Sequence, residues 1–210
     1  MTRLLRQSCC LFSLLLVACF AVAQSDFSAD VFDNRQPDSP KAKIYAGKEK
    51  IRFESKEKDP RGGGAFIMNM ATHTSVVVMD QQHMYMEMPM QMAAQRNPYF
   101  FRAEDVDDVC ADWLKLEWNK GGSCHKVGSE TVNGRSAVKF EGTNSKGEAG
   151  TVWMDPKLRF PVKWQGKNGG GELRNIQQTS QPSSLFEIPS GYKKFDMGNM
   201  GAMMQQQQQQ

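Results

Sequence analysis

Through most of the stretch between Phe27 and Phe195 the apolar residues recur at every second position, which limits those segments to strands that bury one side. The sharpest instance is HMYMEMPMQM, His83 to Met92, where Met84, Met86, Met88, Met90 and Met92 share one parity. His83, Tyr85, Glu87 and Pro89 fall on the other. DFSADVF puts Phe27, Ala29 and Val31 on one side. AKIYAGKEKIRFES reads as two strands joined at Ala46-Gly47-Lys48, with Ile51 and Phe53 facing alike. AFIMNMAT aligns Phe66, Met68 and Met70, and TSVVVMD is a short β-branched run that leads through Gln81-Gln82 into the methionine strand. These segments predict an antiparallel meander with one apolar face.

One segment departs from this period. From Pro98 to Trp118 the residues Val106, Val109, Cys110, Trp113 and Leu114 fall at i, i+3, i+4, i+7 and i+8, a helical stripe. Its start lies at Asn97-Pro98 or nearer Ala103. Glu104, Asp105, Asp107 and Asp108 crowd the first turns, where the helix dipole favours negative charge. Strands then resume. Asn133-Gly134 predicts a type I′ hairpin turn, and Asp155-Pro156-Lys157 a second turn between Val152/Met154 and Phe160/Val162/Trp164. Pro161 lacks an N–H and points its strand toward an edge or an exposed backbone face. The GGG runs at 62–64 and 169–171 read as loops, and SSLFEIPSGYKKF packs Leu185, Phe186 and Ile188 at the close.

The expected fold class is mainly β (α+β), about nine to eleven antiparallel strands with a helix inserted after the sixth. A sheet of that size must curl or close. The expectation is a curled half-barrel with the helix as lid or plug.

The N-terminus carries an export signal. Arg3 and Arg6 precede the apolar run Leu11–Val22, and Ala21-Val22-Ala23 offers a small-residue cleavage site. The run falls short of the roughly 20 residues that span a bilayer. Leu16-Val17-Ala18-Cys19 is an alternative, a lipobox that would acylate Cys19, but apolar residues continue past Cys19 where a lipobox normally ends. The division is therefore signal 1–23, one domain 24–196, and a low-complexity Met/Gln tail 197–210. The location is periplasmic or exported, with an outer-membrane lipoprotein as the alternative. Any membrane association rests on an acylated Cys19.

Arg3 and Arg6 leave with the signal and no acidic residue does, so the formal charge falls from +3 to +1. That balance gives no electrostatic footprint for nucleic acid. Three of five cysteines, Cys9, Cys10 and Cys19, leave as well, so Cys110 and Cys124 remain to pair in an oxidising compartment. No cofactor motif is present, and His73, His83 and His125 lie on three separate segments; His125 adjoins Cys124, but on a strand it points to the opposite face. A non-catalytic protein without a cofactor is expected.

The hairpin W-x-D-P…P-V-K-W (Trp153, Asp155, Pro156, Pro161, Val162, Trp164) and the ending F-x-I-P-x-G-Y (Phe186, Pro189, Gly191, Tyr192) resemble the LolA-like superfamily of periplasmic lipoprotein carriers and sorting proteins. The chain is most similar to an uncharacterised exported branch, over Phe27 to Phe195. The resemblance implies a half-barrel whose concavity binds acyl chains, lipids or lipoproteins. The lining expected here is Phe66, Met68, Met70, Met84, Met86, Met88 and Met90. Three readings of the methionine strand stay open: core filling, a lining for an apolar ligand, or a Cu(I) site, since thioethers select that ion. No resident metal is assigned. A structural envelope lipoprotein held by Cys19 is a further alternative.

Overall fold

Alternation is realised as a twelve-stranded sheet in the computed structural model, which describes residues 26–56, 64–94 and 101–195. The signal and tail lie outside the described residues. The strands are β1 (Phe27–Asp33), β2 (Ala42–Ala46), β3 (Lys50–Ser55), β4 (Gly64–Asn69), β5 (Thr74–Met79) and β6 (Met84–Pro89). Two short helices follow, α1 (Met90–Ala94) and α2 (Val109–Lys115). Then come β7 (Ser123–Val132), β8 (Arg135–Thr143), β9 (Ala149–Asp155), β10 (Phe160–Gly166), β11 (Gly169–Gln177) and β12 (Lys193–Lys194). The spatial order is β12-β6-β5-β4-β3-β2-β1-β11-β10-β9-β8-β7, so two meanders meet where β1 pairs with β11. The sheet is open and does not close into a barrel. Every ladder is antiparallel except β12–β6.

Directly opposed residues of a ladder share a face. Phe27, Ala29 and Val31 stand opposite Ala46, Ile44 and Ala42, which stand opposite Ile51, Phe53 and Ser55. The apolar members of these rows form the main core with Leu173, Phe160, Val162 and Leu158, tightened by the edge-on contact of Phe27 with Phe160. The row Asp33–Gly171–Trp164–Val152–Phe140 carries the same face to the far meander. There α2 covers it: Val109 and Trp113 pack on Phe140, Val152 and Met154.

Several expectations are corrected. Twelve strands replace nine to eleven, because Lys193–Lys194 adds a parallel strand beside β6 that a two-residue segment cannot announce. Pro161 lies on an internal strand, not an edge. The ladder slips between Pro161 and Lys163, and this bulge accommodates the missing N–H. Residues 169–171 form the start of β11, not a loop. A Cβ on Gly171 would stand 2.4 Å from the Phe32 carbonyl oxygen and 2.6 Å from the Trp164 ring, so glycine lets that ring lie across the strand.

The helix is the largest correction. Residues 101–108 are non-helical and α2 has only seven residues. The acidic run is the reason, because short carboxylates compete for backbone donors. Asp105 accepts from the Asp107 N–H at 2.9 Å and Asp112 from the Glu104 N–H at 2.8 Å, while Asp108 caps the helix through the Ala111 N–H. The helix begins directly after Asp108, the last acid of the run.

Asn133 and Gly134 both take left-handed conformations, with φ of 48° and 78°, as the type I′ turn requires. The Cys110–Cys124 disulfide is formed and ties α2 to β7.

Candidate ligand-binding face

The methionine segment divides at Pro89. Met84, Met86 and Met88 lie on β6, whereas Met90 opens α1, where it packs on the main core, and Met92 is 52% exposed. Met90 and Met92 therefore leave the strand parity that the sequence suggested. A proline at the end of β6 cannot continue the ladder, and the chain turns into a helix.

The register places the remaining predicted residues on one face. Phe66 opposes Val77, which opposes Met86; Met68 opposes Ser75, which opposes Met88; Met79 opposes Met84. By alternation this is the face of Ile51 and Phe53, because Ile51 opposes Met68 and Phe53 opposes Phe66. Burial separates the residues into two groups. Met68 is a core residue at 4% exposure, and Phe66, Met70 and Met90 pack against that core. Met79, Met84, Met86 and Met88 are half-buried and stand outside the core clusters of the described residues. Near the β6 edge the apolar face thus extends beyond its own core.

No ionisable side chain belongs to these three rows. Their one polar group is the Ser75 hydroxyl, buried between Met68 and Met88 without a hydrogen-bond partner among the described residues. Charge lies on the reverse face, where Lys194 pairs with Glu87. That face is not simply wet. Ala65, Ile67 and Val78 form a third cluster there, covered by Tyr192, whose hydroxyl donates to Asp80 at 3.0 Å. This hydrogen bond raises the Tyr192 pKa. The reverse face is covered because the C-terminal segment crosses it. Arg52 donates to the Leu185 carbonyl at 3.0 Å, Phe186 packs beside Gly47, and the segment then pairs with β6 through the Lys193 N–H to the His83 carbonyl and the Phe195 N–H to the Tyr85 carbonyl.

At the other end the sheet is shut. Between α2 and the strands, among Val109, Trp113, Phe140 and Val152, the void is about 10 Å³, room for about one water. Arg102 fastens the approach to this helix by donating to the carbonyls of Gly47 at 2.5 Å and Lys48 at 3.0 Å. Burial lowers the pKa of its guanidinium.

The histidines are not brought together. His73 and His83 occupy left-handed turn positions at opposite ends of the β5–β6 hairpin, and His125 lies exposed on β7. Among the described residues no three His, Cys, Asp or Glu side chains are grouped to hold a metal. Sequence reasoning missed Met79. The signal was present, because the tight turn at 80–83 pairs Met79 with Met84 by simple counting outward.

No family model matches the chain, and no curated protein matches it. Solved structures do. An uncharacterised conserved protein from Thermus thermophilus is similar at 12% identity and a TM-score of 0.50, over 83% of this chain and 91% of that one. PNGF-II is similar at 10% identity and a TM-score of 0.51, over 85% of this chain but only 33% of its own length. The fold is shared with these proteins. A putative outer membrane lipoprotein-sorting protein domain from Vibrio parahaemolyticus also aligns, at 9% identity over 78% of this chain and 88% of that one, with a TM-score of 0.21. At that score the alignment adds nothing to the fold assignment.

Proposed function

We propose that this is a non-catalytic, exported protein that binds or carries an apolar ligand against the core face of β4–β6. The observation behind this reading is the half-exposed row of Met84, Met86 and Met88, continued by Met79, Val77 and Phe66 and free of ionisable groups. Unbranched thioether side chains adapt to varied apolar shapes, which suits an acyl chain of a lipid or lipoprotein. The tight packing under α2 directs the ligand to the β6 end. The resemblance of the Trp153–Trp164 hairpin and the Phe186–Tyr192 ending to LolA-like carriers agrees with such a ligand. The disulfide fits an oxidising, exported location.

The test is native mass spectrometry of protein purified from the periplasm, followed by lipid extraction, with titration of a fluorescent long-chain fatty acid. Co-purified lipid, and fatty-acid binding that falls when Met86 becomes Asp, support the reading. Protein that arrives empty and ignores the fatty acid ends it.

A further inference from the structure

The methionines on the core face do two different things. Filling irregular core space accounts for Met68, Met70 and Met90. It leaves unexplained the thioethers that gather at the turn end of the β5–β6 hairpin. Met79 and Met84 are direct cross-strand partners, with Cβ atoms roughly 4.5–5.5 Å apart in such a pair. Met86 follows Met84 on the same face, about 6.6–6.8 Å along the strand, and lies diagonal to Met79 at roughly 7–8 Å. The three Cβ atoms form a triangle on one surface. Each side chain has three rotatable bonds, enough to bring the three sulfurs to a common point.

We propose that Met79, Met84 and Met86 form a three-thioether site for Cu(I). Soft, neutral sulfur ligands select this ion among biological metals, whereas hard cations require oxygen and zinc prefers thiolate or imidazole. The three rows of this face carry no carboxylate or imidazole to recruit those competitors. Half-burial suits the ion: the three methionines are partly open to solvent, yet the apolar surround of Val77 and Phe66 disfavours the more strongly hydrated Cu(II). Val77, between Met79 and Ser75, forms the floor beside Met86. Three neutral ligands leave the complex with a single positive charge. The site lies at the turn end of the face proposed for an apolar ligand and does not depend on that reading.

The test is anaerobic titration of the full chain with Cu(I) against the chromogenic chelator bicinchoninate, with X-ray absorption at the copper edge. The expected result is one Cu(I) per chain in an all-sulfur shell. Changing Met79 and Met84 together to Leu preserves apolar volume, and should weaken Cu(I) binding by more than about tenfold, the least that disturbing even the outer partners of a metal ligand costs. Met68→Leu, in the core, should bind as the parent does. The single changes Met79→Leu and Met86→Leu read the same loss should the double variant fail to fold. Cu(I) uptake by a parent protein that ignores the fatty acid upholds this site while ending the apolar-ligand reading, and fatty-acid binding without Cu(I) uptake does the reverse. No Cu(I) uptake by the parent, nitrogen or oxygen in the shell, or undiminished binding after loss of Met79 and Met86 overturns the proposal.

Discussion

Asp155 lies buried at 1% exposure beneath Arg135, whose Nε donates to its Oδ2. Its other oxygen accepts the N–H groups of Lys157 at 2.8 Å and Leu158 at 3.1 Å. One carboxylate therefore holds the β9–β10 turn in shape and ties it to the β7–β8 hairpin. Removing one partner of a buried ion pair leaves the other uncompensated and costs about 3–5 kcal/mol. Asp155→Ala should lower unfolding free energy by an amount near that range in urea denaturation. Arg135→Ala should also be destabilising, because it strands the buried Asp155 carboxylate without its cation, although the two turn hydrogen bonds stay in place.

Gly171→Ala should be destabilising although it adds one methyl group. The new Cβ meets the Phe32 carbonyl and the Trp164 ring at 2.4 and 2.6 Å, so backbone or ring must shift, at about 1–3 kcal/mol for overpacking. A lower thermal midpoint, with altered near-UV ellipticity from the displaced tryptophan, is the expected signature.

Replacing Cys110 and Cys124 with Ser should remove about 3 kcal/mol in the chain-entropy model, given a sequence separation of 14. The loss should appear equally in parent protein treated with reductant. Denaturation midpoints of the variant should not respond to reductant.

Asp33 supplies a pH dependence. Its hydrogen bonds from the Arg35 side chain lower its pKa to about 2, opposed by partial burial and assisted by Lys41. A carboxyl depressed in the folded state stabilises above its unfolded value of about 3.9, and that contribution fades as the pH falls toward 2. Because Arg35 is two-thirds exposed (67%), the effect should stay below about 1 kcal/mol. An NMR titration of the Asp33 carboxyl should show the low midpoint, and Arg35→Ala should raise it.

The fold was legible where period two was strict. Phe27/Ala29/Val31, Ile51/Phe53 and Phe66/Met68 face the core as alternation demands, and Asn133-Gly134 turns as its φ preferences require. What was hidden depended on neighbours distant in sequence. Pro161 suggested an edge because its bulge partner, Met154, is a property of register. The glycines at 169–171 suggested a loop because only the Trp164 ring explains them. The helix was overextended because a stripe at helical spacing says nothing about carboxylates that bind the backbone instead. Met84, Met86 and Met88 were legible as a face. Met79 was not joined to them because that step needs strand pairing as well as strand parity.

The β1–β11 ladder has a consequence in time. Each meander is built of neighbours in sequence, so its hairpins form early and locally. Ser28 pairs with Gln177 and Asp33 with Gly171, so the strand made near the beginning must wait for one made near the end. Until then both flanks of the eventual seam are raw edges, open to wrong partners. A chain that crosses a membrane N-terminus first would hold β1 exposed through almost the whole passage, and its yield would depend on how fast β11 arrives.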